Sequence, residues 1–172
     1  MKKPFNLAMI NSLPHEDFVC VIGPIFEDSP WVADATWSKR PFKSLDLLHS
    51  ALCKTVQTST EARQIDLIRA HPDLAGRAAQ TGTLTSASTS EQASAGLNKL
   101  SDKEIALFQK YNQSYREKFD FPFVICARLN KKEAILKGFE SRLKQSREKE
   151  IKTALAEIEK IAYLRLQDMI ES

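Results

Sequence analysis

Glycine is scarce in this sequence, five residues in 172, and helix-starting punctuation recurs along the chain in its place. Cysteine is also scarce: Cys20, Cys53 and Cys126 are odd in number, far apart and never in a C-x-x-C pair. That argues against a disulfide framework and a thiolate metal site, and fits a reducing compartment. The three histidines, His15, His49 and His71, include no H-x-x-x-H pair, so a zinc site is not expected. The net charge of +3 is spread without a block of five like charges, which gives no case for nucleic acid but suits a small anionic substrate. No apolar run is long enough to span a membrane. The basic start Met1-Lys2-Lys3-Pro4-Phe5 is not followed by an apolar stretch, so no signal peptide is expected. The ending Ile170-Glu171-Ser172 does not match the serine-lysine-leucine peroxisomal address, and the cytoplasm is the expected location.

What is present is ordinary for a globular chain, 42% apolar and 27% charged, at a length that suits one domain spanning 1–172. Leu7, Met9, Ile10 and Leu13 suggest a short opening helix, Pro14 starts a second, and Ser29-Pro30 a third. Ser44 precedes Leu45, Leu48, Leu52 and Val56, spaced three, four and four apart along one helical face. Thr60 to Ala70 repeats the pattern, and Pro72 should stop that helix at His71 by pushing its predecessor out of the helical region. A loop is expected from Gly76 to about Ala87. Ser88-Thr89-Ser90-Glu91 then reads as a capping box opening a helix to about Asn98, and Ser101 to Glu104 reads as another. Phe121 to Ala127 is the one strand-like run; without a partner strand it should be a buried extended segment. Asn130 is the expected cap of the next helix, and the last runs from about Ser146 to Ile170. The fold class is therefore all-α, a single compact helical domain with one short buried extended segment.

Several residues depart from this plain pattern. His15 and His49 read as surface histidines. His71 stands at a helix C-terminus, which favours an imidazolium by roughly 0.3–1 kcal/mol and suits a proton donor. Capping its own helix is the alternative. Glu91 has a capping role in the Ser88 box, yet the same helix N-terminus could meet a bound polar ring, with Gln92 offering both a donor and an acceptor. Arg165 fills the gap in the apolar series Ile151, Leu155, Ile158, Ala162 and Met169 of the last helix. It could snorkel from the edge of that face or hold a substrate carboxylate through its planar fork. If it binds substrate, methionine in its place should raise stability or hardly change it. The extended run Phe123, Val124, Ile125, Cys126 and Ala127 leaves backbone groups in need of partners, some of which an amide-rich ligand could supply. Cys126 reads as packing, since nothing in the sequence would lower its thiol pKa.

Taken in order, Phe26 to Ala33, His71-Pro72-Asp73-Leu74-Ala75-Gly76, Leu84-Thr85, Ser88 to Gln92, Phe121 to Arg128 and Lys160 to Leu166 resemble the 2-oxo-4-hydroxy-4-carboxy-5-ureidoimidazoline (OHCU) decarboxylase family over essentially the whole chain. The resemblance implies an all-helical homodimer without metal or organic cofactor. It implies a cofactor-independent carboxy-lyase that turns OHCU into (S)-allantoin in urate breakdown. His71 inherits the role of catalytic acid, with Glu91 beside it. Pro72, Ser88, Gln92, the backbone of Phe123, Val124, Ile125, Cys126 and Ala127, and Arg165 inherit substrate contacts. The implied partner is a small anionic molecule, with neither nucleic acid nor membrane involved. The rival readings are another small-molecule lyase or hydrolase using the same His–Glu pair, and a non-catalytic helical interaction module.

Overall fold

The computed structural model describes residues 3–171; Met1, Lys2 and Ser172, on which parts of the leader and address readings fall, lie outside the described residues. Helices dominate, as the punctuation led one to expect, and the chain divides into two compact units.

The first unit comprises residues 1–70 and 159–172. It holds α1 (Leu7–Ser12), α2 (His15–Ile22), α3 (Trp31–Thr36), α4 (Leu45–Gln57) and α5 (Glu61–Arg69), together with the end of the last helix. Three of these helices begin where a side-chain oxygen takes an orphan N–H of the first turn. Asn6 accepts from Met9, Ser44 from Leu47, and Thr60 from Arg63. Phe18, Ile22, Val32, Leu48, Leu52, Ile68 and Leu166 are wholly buried and form the core. A two-residue parallel pairing, β1 (Phe5–Asn6) with β2 (Ile170–Glu171), ties the two ends of this unit and was not expected from the sequence. His49 is not a plain surface residue: its Nε2 lies 2.8 Å from the Glu159 carbonyl and 3.2 Å from Cys53 Sγ. Burial, with Glu159 nearby, pushes the Cys53 thiol up to about 12, so it stays protonated.

The second unit is residues 71–158. It contains α6 (Arg77–Thr81), α7 (Ser86–Ser94), α8 (Asp102–Phe119), α9 (Lys132–Arg142) and the start of α10 (Arg147–Met169). The Ser101–Glu104 capping box is present in full, each side chain meeting the other's backbone. Four boundaries differ from expectation. The loop after Gly76 contains α6, which ends at Gly82 in the left-handed region. And α7 begins two residues before Ser88, because Thr85 is its cap and accepts from the Ser88 N–H. Ser88 therefore sits inside the first turn and not at the cap position expected of it. The same helix stops at Ser94 rather than Asn98. Gly96, at φ +83°, lets its own N–H reach Ala93 and that of Leu97 reach Gln92, closing a Schellman turn. At α9 the cap is Lys131, one residue past Asn130.

The run from Phe121 to Cys126 is extended, and all of it except Ile125 is buried. It carries Phe121 and Phe123 into an aromatic core with Phe108, Tyr115, Phe119 and Phe139. Phe123 stacks on Phe139 at 3.9 Å between ring centroids. That approach needs Gly138, where a Cβ would come within 3.3 Å of the Phe123 ring.

Candidate active site

His71 follows directly on Ala70, the C-cap of α5, and is 6% exposed. The helix stops there for the expected reason, the following proline. What the sequence did not reveal is how the loop from His71 to Gly76 is held. The Gln92 amide spans it: its Oε1 accepts from the Ala75 N–H at 3.0 Å, and its Nε2 donates to the Asp73 carbonyl at 3.3 Å. Buried Asn112, on α8, donates to the Leu74 carbonyl at 2.9 Å. Arg116, one turn further along α8, donates through Nε to the Asp73 carboxylate at 2.9 and 3.2 Å. Ala75 adopts φ +50°, and a Cβ on Gly76 would lie 2.6 Å from that of Asp73, so the loop admits little variation in its path. A histidine needs such a frame if its ring is to deliver a proton to one place.

Glu91 and Gln92 are consecutive on α7, and so point in different directions about its axis. Gln92 reaches the histidine loop. Glu91 lies close enough to Cys126 to act on it: burial foremost, then the Glu157 and Glu91 carboxylates, pushes that thiol up. That direction is in keeping with a packing role for Cys126. Helix α7 also packs on the turn Ala127–Leu129. Within the second unit, then, one helix joins the His71 loop to the extended run, and Ser88 is buried on that same helix. Pro72 is half-buried beside His71.

The extended run finds its partners among side chains. Arg142 Nη1 donates to the Val124 carbonyl at 2.7 Å, the Cys126 N–H donates to Glu157 at 2.9 Å, and Asn130 donates to the Cys126 carbonyl at 2.9 Å. The N–H groups of Val124 and Ile125 meet no acceptor among the described residues.

Arg165 belongs to the first unit, where it is 7% exposed. Its Nη1 donates to Glu27 Oε2 at 2.9 Å and approaches the carbonyls of Pro24 and Ile25 at 3.4 Å. It does not snorkel to water. A buried guanidinium requires a counter-charge, which was the one available hint to Glu27. Among the described residues no group of three or more His, Cys, Asp or Glu side chains could hold a metal ion. Nor is any helix long and apolar enough to cross a membrane.

The profile of OHCU decarboxylases matches residues 11–167. The chain belongs to the OHCU decarboxylase family. It is 42% identical to the 2-oxo-4-hydroxy-4-carboxy-5-ureidoimidazoline decarboxylase of Halalkalicoccus jeotgali, over 93% of this chain and 89% of that protein. The protein of the same name from Mus musculus is 40% identical, over 96% and 93% of the two chains. The crystal structure of an (S)-allantoin synthase superposes with a TM-score of 0.79 at 26% identity, covering 98% of this chain. The chain spans 55% of that structure's chain. The matched range takes in both the loop from His71 to Gly76 and the run from Phe121 to Arg128.

Proposed function

We propose that this chain decarboxylates OHCU to (S)-allantoin in urate breakdown, with His71 as the group that protonates the ring. Family membership supports the reaction, and the observation that supports the residue is the frame around His71. A buried imidazole on a loop fastened by Gln92, Asn112 and Arg116 has few directions in which to give its proton.

The chemistry needs little else. The bond between the ring carbon and its carboxylate breaks, carbon dioxide leaves, and the electron pair enters the conjugated ring beside it. No cofactor is required as a sink. One proton replaces the lost carbon dioxide, and the face on which it arrives sets the configuration of allantoin. Glu91 orients the imidazole or the substrate, while Ser88, Pro72 and the backbone from Phe123 to Ala127 seat the ring. The unpaired N–H groups of Val124 and Ile125 suit a ring rich in carbonyl oxygens. Gln92, assigned by resemblance to the substrate, acts here by holding the loop that carries His71. Arg165 pairs with the substrate carboxylate, its charge shared with Glu27. We assign the whole of 1–172 to one functional domain, since the family match extends through both units. The expected homodimer and cytoplasmic location rest on the resemblance and the cysteine usage.

His71→Ala should reduce turnover of freshly generated OHCU by about 10²–10⁴-fold, the usual worth of a positioned proton donor. Its melting temperature should change little, because the residue lies past the end of α5. Carbon dioxide release at the wild-type rate would remove His71 from the mechanism.

A further inference from the structure

We propose that the buried group of Tyr115, Glu150 and Arg142 is a positioning device for the extended run from Phe123 to Ala127, holding its backbone in the form that meets the substrate ring. The inference rests on the reading that this backbone touches substrate.

All three side chains are out of water: Glu150 and Tyr115 are 0% exposed and Arg142 is 6%. Glu150 Oε2 accepts from the Tyr115 hydroxyl and, at 2.9 Å, from Arg142 Nε. The other arm of the same guanidinium, Nη1, donates to the Val124 carbonyl at 2.7 Å, and the group as a whole lies over the Phe123 ring at 4.2 Å. One planar fork therefore holds two neighbouring residues of the run, one by its ring and one by its carbonyl. Glu157 holds the next fixed point, the Cys126 N–H, at 2.9 Å. Ile125 lies between the Val124 and Cys126 anchors, and the N–H groups of Val124 and Ile125 meet no acceptor among the described residues.

Stability alone does not explain this arrangement. Buried ion pairs are often no better for stability than apolar side chains of equal volume. This one also leaves Arg142 Nη2 and Glu150 Oε1 buried without a hydrogen bond, which is a cost. Apolar replacements could fill the space but could not donate to Val124. That carbonyl sits in a segment with no partner strand, where nothing else would fix its direction.

The test replaces Arg142→Met together with Glu150→Leu, and separately makes Arg142→Lys, which keeps the charge but cannot fork between Glu150 and Val124. Melting temperature, kcat, KM and amide hydrogen exchange of residues 123–127 are measured for each. We expect the double variant to fold with a moderately lower melting temperature, because the buried Tyr115 hydroxyl and Val124 carbonyl lose these partners. Exchange in the run should be faster, KM should rise, and kcat/KM should fall about 10- to 100-fold, as small misplacements in a site do. Arg142→Lys should show the same pattern in milder form. Wild-type kcat/KM in a folded variant, or failure of both variants to fold, would reduce the group to a structural element and overturn the proposal. Exchange of the wild-type Val124 and Ile125 amides with and without allantoin tests the underlying reading separately. Protection of those amides alongside a fully active variant would sink the positioning role alone. Absence of protection would sink the substrate contact itself.

Discussion

The guanidinium of Arg165 lies 2.9 Å from the Glu27 carboxylate, with both side chains almost wholly out of water. The misfit of an arginine on an apolar helical face was visible in the sequence; its partner, 138 positions away, was not. No local pattern links two residues so far apart. Glu27 also reverses the expectation that methionine would fit at 165 without loss. Removing the cation takes its charged partner from a buried carboxylate, and breaking a buried pair in this way costs about 3–5 kcal/mol. Arg165→Met should therefore unfold at a markedly lower denaturant concentration than wild type. Adding Glu27→Leu should restore most of that stability without restoring activity. A lone Arg165→Met variant as stable as wild type would mean that the pair carries no structural weight. The same limit of local reading applies to Gln92. Its amide was legible as a donor and an acceptor, but the groups it serves, Asp73 and Ala75, are 19 and 17 residues away.

Three helix starts were legible from a cap that stood alone, whereas at α9 the cap fell one residue past Asn130. Ser44, Thr60 and Ser101 each accept from a backbone N–H three residues on, an interaction written entirely in local sequence. At the start of α7 two candidate caps compete within one turn, and Thr85 holds the position that Ser88 was expected to fill. This matters for the site, because Ser88 stands inside the first turn and Thr85 is the cap. Thr85→Ala should cost about 0.5–2 kcal/mol in urea unfolding. Ser88→Ala should instead raise KM. Were Ser88→Ala to destabilise the fold as a lost cap does while leaving KM untouched, Ser88 would be structural. The strand pairing of Phe5 with Ile170 had no chance of being read, since two residues carry no periodicity and their partners stand at opposite ends of the chain.

Across the whole molecule, the second unit carries His71, Glu91, Gln92 and the extended run, and the first carries Arg165 with Glu27. The all-helical class followed from punctuation and periodicity. The candidate site followed only in part, because periodicity places side chains on faces but does not say which buried groups meet. His71 and Glu91 were ambiguous on local grounds, and it was the ordered series of motifs that singled them out. What those motifs imply together is control of a stereocentre, since OHCU also decays without an enzyme and then yields both enantiomers. The most direct measurement generates OHCU from urate enzymatically and follows the circular dichroism of the allantoin formed, with and without this protein. Faster formation of a single enantiomer, (S)-allantoin, is expected when the protein is present, and a racemate with the His71→Ala variant. Racemic allantoin at the spontaneous rate in the presence of the wild-type protein would contradict the proposed function.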